Sequence, residues 1–297
     1  MKKDAIKTDH LTKFYGTFRG IDDLTLTVPV GDFFGFIGPN GAGKSTTIRT
    51  LLGLIAPTKG TAEIFGKNIR ENKTDILSDI GYLPSEIQFY SRMKVKDILH
   101  FSANLHHRNC EKAAKELCER LEIDPTRRAD ELSLGNRKKV GIIACMQHDP
   151  KLYIMDEPTS GLDPLMQREF FSLLQEKNRQ GATIFLSSHV LSEVQKYCSH
   201  AAIIRTGKLL VCDSVEKLGH SGVKRILIRG LRADHADSLL KKLSPDHIKD
   251  VSFSEENFHF LYDGDPSELL KELSPLPLKD LTITEPDLEE IVLHYYL

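Results

Sequence analysis

Residues 38–46 read GPNGAGKST, and the reading of the whole chain turns on them. Gly38, Gly43, Lys44 and Ser45 stand at the required places of the phosphate-binding pattern G-x-x-x-x-G-K-[ST]. Glycines let successive backbone N–H groups turn toward a phosphate, and a following helix adds the positive end of its dipole. Both flanks have the expected character. FFGFI at 33–37 is an apolar strand candidate, and Ile48, Leu51, Leu52 and Ile55 form the i, i+3, i+4, i+7 stripe of an amphipathic helix. Lys44 is expected against the β- and γ-phosphates, with the Ser45 hydroxyl on Mg²⁺.

Working outward, LYIMDE at 152–157 is an apolar strand that ends in two carboxylates. Its end delivers Asp156 to the sheet edge where the phosphate loop also lies, which suits the Mg²⁺ shell. Glu157 is placed to polarise a water for attack on the γ-phosphate. Further apolar segments at 183–186 and 201–204 read as strands buried on both faces, and Leu24, Leu26 and Val28 alternate as a half-buried strand. Helical patterns separate them, so the expected body is α/β with a mostly parallel sheet. Residues 95–150 contain no convincing strand and predict an inserted helical subdomain, with Leu117, Cys118 and Leu121 turned inward.

From about residue 220 the rhythm changes. Strands at 224–229, 249–254, 257–262 and 278–284 alternate with helices at 233–243, 266–274 and 287–296. The order β-α-β-β-α-β is that of a split βαβ, ferredoxin-like unit. GHSG at 219–222 predicts a hinge, and Leu288, Ile291, Val292 and Tyr295 a stripe on the terminal helix. The expected domains are therefore 1–219, with a helical subdomain at about 92–150, and an accessory domain at 220–297.

Composition narrows the function. The 297 residues hold 40 Lys and Arg against 42 Asp and Glu, so no basic surplus points to nucleic acid. No apolar run approaches the ~18–20 residues of a membrane span, and no apolar stretch follows the two N-terminal lysines, so neither anchor nor secretory signal is expected. Cys110, Cys118, Cys145, Cys198 and Cys212 form no CxxC pair and read as reduced thiols, which gives a cytoplasmic address. NKTD at 72–75 matches a guanine-recognition pattern, but the only DxxG, Asp32–Gly35, precedes the phosphate loop. A solvated helix start is the expectation there.

GPNGAGKST, LSLGN, LYIMDEP, SGLD and SSH, in this order, closely resemble the ATP-binding subunit of an ABC transporter over residues 4–215. The resemblance implies a phosphate-loop cassette with an antiparallel β subdomain and the helical insertion, which binds ATP and Mg²⁺ and hydrolyses ATP. It places nucleotide on Gly38, Pro39, Asn40, Gly41, Ala42, Gly43, Lys44, Ser45 and Thr46. Tyr15 matches the aromatic that stacks on adenine, and His189 the histidine that meets the γ-phosphate. Asp163 matches the loop that couples two sites. Ser133 and Gly135 lie in the signature segment, which serves the ATP held by a second cassette. A homodimer is preferred over a heterodimer, docked on an integral membrane permease at the inner face of the membrane.

Two departures stand out. The lid that usually presents Gln has Ser85 with Glu86 beside it, so either is a candidate at the metal. The signature has Leu134 and Asn136 in place of Gly and Gln. Such relaxed segments, followed by Arg137, Lys138 and Lys139, resemble the bacterial exporter branch that handles antibiotics and lipids, as does the ending LEEIVLHYY. The competing reading is a permease-free ATPase of translation or DNA repair. That class typically has two cassettes or a long coiled-coil insertion, and this chain has one phosphate loop and no sustained heptads.

Overall fold

The computed structural model describes residues 4–219, 223–254 and 257–285. Two compact units divide the chain, Met1–Asp213 and Ser214–Leu297. The division falls six residues before the expected boundary, because the helix at 215–219 clusters with the second unit. The hinge residues 220–222 and the terminal helix at 287–296 lie outside the described residues.

The first unit opens with β1 (Asp4–Tyr15), β2 (Phe18–Pro29), β3 (Phe33–Ile37), α1 (Lys44–Leu51), β4 (Lys59–Ile64) and β5 (Lys67–Asn68). There follow α2 (Lys73–Ser78), β6 (Ile80–Leu83), α3 (Val95–Leu105), α4 (Glu111–Arg120) and α5 (Leu134–Met146). The unit closes with β7 (Leu152–Asp156), α6 (Pro164–Arg179), β8 (Thr183–Ser188), α7 (Leu191–Tyr197), β9 (His200–Arg205) and β10 (Lys208–Ser214). Periodicity does not single out β1, β4, β5, β6 or β10. In β2 the expected alternation holds: Leu24, Leu26 and Val28 are buried, Thr25 and Thr27 exposed. NKTD does start a helix, α2, whose first turn is exposed.

The sheets explain where a site can form. β2, β1, β4 and β5 make one antiparallel sheet, and β10-β9-β3-β8-β7-β6 is the strand order of the other. Within it β6, β7, β8, β3 and β9 pair in parallel. β3, β7 and β8 are buried at every residue, as a sheet with both faces covered requires. Phe34 and Phe185 are register partners on β3 and β8, and their rings stack with centroids 5.9 Å apart. Truncating such a ring to alanine typically costs ~3–5 kcal/mol. Parallel pairing brings the carboxyl ends of β3, β8 and β7, three adjacent strands, to one edge.

The apolar stripe after the phosphate loop is shorter than its spacing suggests. α1 ends at Leu51, and the next turn closes with Gly53 N–H donating to the Thr50 carbonyl and Leu54 N–H to that of Arg49, both at 2.9 Å. Ile55 therefore lies beyond the helix and is half-buried. The segment 95–146 holds α3, α4 and α5 and no strand, with Leu117, Cys118 and Leu121 buried. Arg120 of α4 pairs with Glu169 at 2.7 Å and with both oxygens of Glu176 at 2.7 and 2.8 Å, which ties the insert to α6.

The second unit begins at α8 (Val215–Gly219) and continues as β11 (Lys224–Arg229), α9 (Ala233–Lys242), β12 (Ile248–Phe253), β13 (Asn257–Tyr262), α10 (Pro266–Leu273) and β14 (Asp280–Thr284). Its antiparallel sheet has the order β12-β13-β11-β14, the arrangement of a split βαβ unit. Ile226, Ile228, Leu239, Phe258, Phe260, Leu269 and Leu273 form its core.

Candidate functional site

The phosphate loop joins β3 to α1. Gly43 has φ 106° and its Cβ would lie 2.4 Å from the Gly20 carbonyl oxygen, so both backbone and space require glycine. A Cβ on Gly38 would lie 2.5 Å from the Ile204 carbonyl oxygen. The loop thus passes tightly between neighbouring strands before the helix opens. Inside it the buried Lys44 ammonium donates to the carbonyls of Gly38 at 2.6 Å and Pro39 at 3.3 Å, and faces Glu157 Oε1 at 3.2 Å.

Glu157 is the centre of the arrangement. It follows β7, its N–H donates to the Ser187 carbonyl at 3.0 Å, and its φ is 49°. A non-glycine residue in the left-handed region stores strain, on the order of 1–3 kcal/mol. Its second oxygen, Oε2, lies 2.6 Å from His189 Nδ1, just past the end of β8. Lys44, Glu157 and His189, called from three separated motifs, therefore form one connected chain of side chains.

Asp156 is 1% exposed, accepts from the Ser187 hydroxyl at 3.2 Å and has no ion-pair partner among the described residues. A buried carboxylate with one hydroxyl donor, at the edge that carries Ser45, suits a hard divalent cation; Mg²⁺ commonly takes one or two protein oxygens and completes its shell with phosphate and water. Of the two lid candidates, Ser85 is half-buried and its carbonyl lies in the site. Glu86 is exposed and lines a surface groove instead.

Tyr15 ends β1, 44% exposed, with Lys13 Nζ 5.1 Å from its ring centroid. One Cβ position on Gly20 would touch both the Tyr15 ring at 3.0 Å and the Thr46 methyl at 2.9 Å, so the ring borders the start of α1. Ser133 caps α5, its hydroxyl accepting from Asn136 N–H at 3.2 Å. Leu134 follows, 65% exposed, and abuts Gly161 of the SGLD loop. Asp163 of that loop caps α6, accepting from the N–H groups of Leu165 and Met166, each at 3.0 Å.

Lys138 was missed in the sequence, where it stands in a basic run. It is 3% exposed, and burial pulls its ammonium down to about 8, against the opposing pull of Asp156 and Glu157. The available signal was its helical phase: Lys138, Ile142 and Cys145 share the i, i+4, i+7 stripe that faces inward.

A phosphate loop, a strand-end carboxylate pair and a histidine at the edge of a parallel sheet define a nucleotide-binding α/β cassette. The sequence profile described as ABC transporter matches residues 21–160. The bacitracin transport ATP-binding protein BcrA of Bacillus licheniformis is 43% identical over 211 residues, covering 69% of this chain and 68% of that protein. YhaQ of Bacillus subtilis, an uncharacterized ABC transporter ATP-binding protein, is 36% identical over 79% of this chain and 78% of its own. A solved ATP-binding subunit of an ABC transporter has a TM-score of 0.68 at 27% identity, covering 72% of this chain and 91% of that one. The chain belongs to the ATP-binding proteins of ABC transporters, and is an ATPase of that family.

Proposed function

We propose that this chain is the motor of an exporter, which couples ATP hydrolysis to transport through a separate membrane permease. The observation that carries the reading is a groove of about 710 Å³ beside the site. Pro84, Ile87 and Phe89 of the lid line it together with Leu52, Leu54 and Leu105, and Glu86 and His106 stand among them. With its apolar residues flanked by polar ones, Lys73, Gln88 and His148 among them, the groove suits the two faces of an amphipathic helix of a partner protein. No described helix is long and apolar enough to cross a membrane. The likeness to a bacitracin transport protein favours a transport role.

In the chemistry, the loop from Gly38 through Thr46 offers its N–H groups to the ATP phosphates, and Lys44 places its charge against them. Tyr15 carries the adenine. Ser45 and Asp156 would hold Mg²⁺, with Ser85 at the lid side. The metal, when bound, neutralises charge on the β- and γ-phosphates. Glu157 accepts the proton of the attacking water, and His189 holds its Oε2 and faces the γ-phosphate. Ser133 and Gly135 serve the ATP of a second cassette, a homodimer in preference to a heterodimer, which closes and reopens as ATP binds and is hydrolysed. The assembly works at the inner face of the cell membrane, without nucleic acid.

The test is purification of the tagged chain from detergent-solubilised membranes, with identification of what comes with it. A protein with several ~20-residue apolar segments is expected. Recovery with ribosomes or DNA and no such protein would refute the motor reading.

A further inference from the structure

Lys138 lies about one turn into α5, the helix that begins at the signature segment. Its ammonium donates to three backbone carbonyls: Ser85 at 3.0 Å, Pro84 at 3.2 Å and Glu157 at 3.2 Å. An ammonium has three N–H donors, so two lid peptides and the peptide of Glu157 use its whole capacity. None of the three carbonyls belongs to a strand or helix. Without Lys138 the Glu157 carbonyl keeps only the long bond from Ser160 N–H at 3.4 Å, and the lid loses its tie to Glu157.

Burying a charge is costly, and the nearby Asp156 and Glu157 carboxylates offset only part of that cost, since burial still pulls the ammonium down. Directing all three donors to backbone carbonyls needs a further reason. Glu157 supplies one, since its left-handed backbone persists only where the surroundings over-determine it. The Ser187 carbonyl fixes its N–H, and its carbonyl accepts from Lys138 at 3.2 Å and, more loosely, from the Ser160 N–H at 3.4 Å. With both ends of the residue held, the carboxylate is aimed between Lys44 and His189.

We propose that Lys138 is a positioning residue for ATP hydrolysis, which holds the peptide of Glu157 in register with the lid and with the signature helix. The proposal rests on Glu157 being the general base. It also gives the lid a role that does not need the usual Gln, because the Ser85 carbonyl reaches Glu157 through Lys138. Ser133 is five residues back on the same helix, roughly 7.5 Å at 1.5 Å per residue. A shift of α5 as it meets the partner's nucleotide thus moves the group that holds this chain's own base.

The experiment uses the full chain with Lys138→Met, which keeps bulk and removes the donors, and Lys138→Gln, which restores two of them. Turnover, KM for ATP and equilibrium ATP affinity are measured for each, beside Glu157→Gln. A displacement near 1 Å can cost on the order of 10²-fold, so Lys138→Met should lose about tenfold or more in kcat. KM and affinity should stay within about threefold, and Lys138→Gln should fall between it and the wild type. A kcat loss of threefold or less, or an equal fall in kcat and ATP affinity, overturns the proposal. If Lys138→Met does not fold, Lys138→Leu, which also lacks the donors, is read by the same two criteria. Full turnover by Glu157→Gln overturns the base assignment instead, a result that leaves the Lys138 measurements separately readable.

Discussion

The two units are built from similar elements, yet every residue assigned to the proposed nucleotide site lies in the first. In Met1–Asp213 the strands β3, β8 and β7 run parallel and are buried along their whole length, so all their carboxyl ends open on one edge. Gly43, Lys44, Asp156, Glu157 and His189 all follow from that edge. In Ser214–Leu297 the sheet is antiparallel, and β12 and β14 are exposed over most of their length. Neighbouring strands in that sheet end at opposite edges, so the residues that follow them are divided between the two. Parallel order concentrates loops and helix N-termini, whereas antiparallel order disperses them.

The sharpest test of this contrast is Glu157→Gln, which removes the base and keeps its shape. Turnover should fall by about 10²–10⁴-fold with ATP binding retained. Unchanged steady-state hydrolysis would show that the edge lacks the chemistry assigned to it. Next in size is acid destabilisation of the first unit. His148 is buried, its Nε2–H donating to the Ile80 carbonyl at 3.1 Å, and burial with the nearby His106 and Arg108 pushes its pKa down to about 4. The unfolded histidine takes a proton near 6.5, so stability should fall as pH drops from about 6.5 to 4. The full effect is roughly 3 kcal/mol. Melting curves at pH 7 and pH 5 should separate more for the wild type than for His148→Gln; equal separations would refute the assignment.

Lys44→Ala is expected to weaken ATP itself. Losing a hydrogen-bonding charge from the phosphates costs about 1.5–3 kcal/mol, or roughly 10–150-fold in affinity. Equilibrium binding of ATP measures this directly, and wild-type affinity would remove Lys44 from the site. The smallest effect is predicted for truncation after residue 219. ATP affinity should stay within about twofold, since every residue assigned to the site lies in the first unit. A folded truncate that has lost ATP binding would end the functional separation of the units.

Much of this was legible because the motifs are local. The run from Gly38 to Thr46 needs particular residues at particular spacings, and LYIMDE carries its own strand, so β3, α1, β7 and Asp156 could be read without neighbours. Lys138 was harder. Its type and its place in a basic run say surface, its helical phase with Ile142 and Cys145 says inward, and the packing of α5 against the lid and Glu157 decides for inward. The limit of α1 was hidden too, because Leu52 and Ile55 continue the stripe while Gly53 ends the helix. The accessory unit was readable as an order of elements from alternation alone, but its boundary was not, since α8 sits on neither pattern.

Residue order alone determined the phosphate loop, the buried strands and the family resemblance, because each depends on side chains within a few positions of one another. The joining of Lys44, Glu157 and His189 into one chain of contacts at 3.2 and 2.6 Å was decided by tertiary structure. Those residues are 113 and 32 positions apart, and only the parallel register of β3, β8 and β7 places their ends side by side.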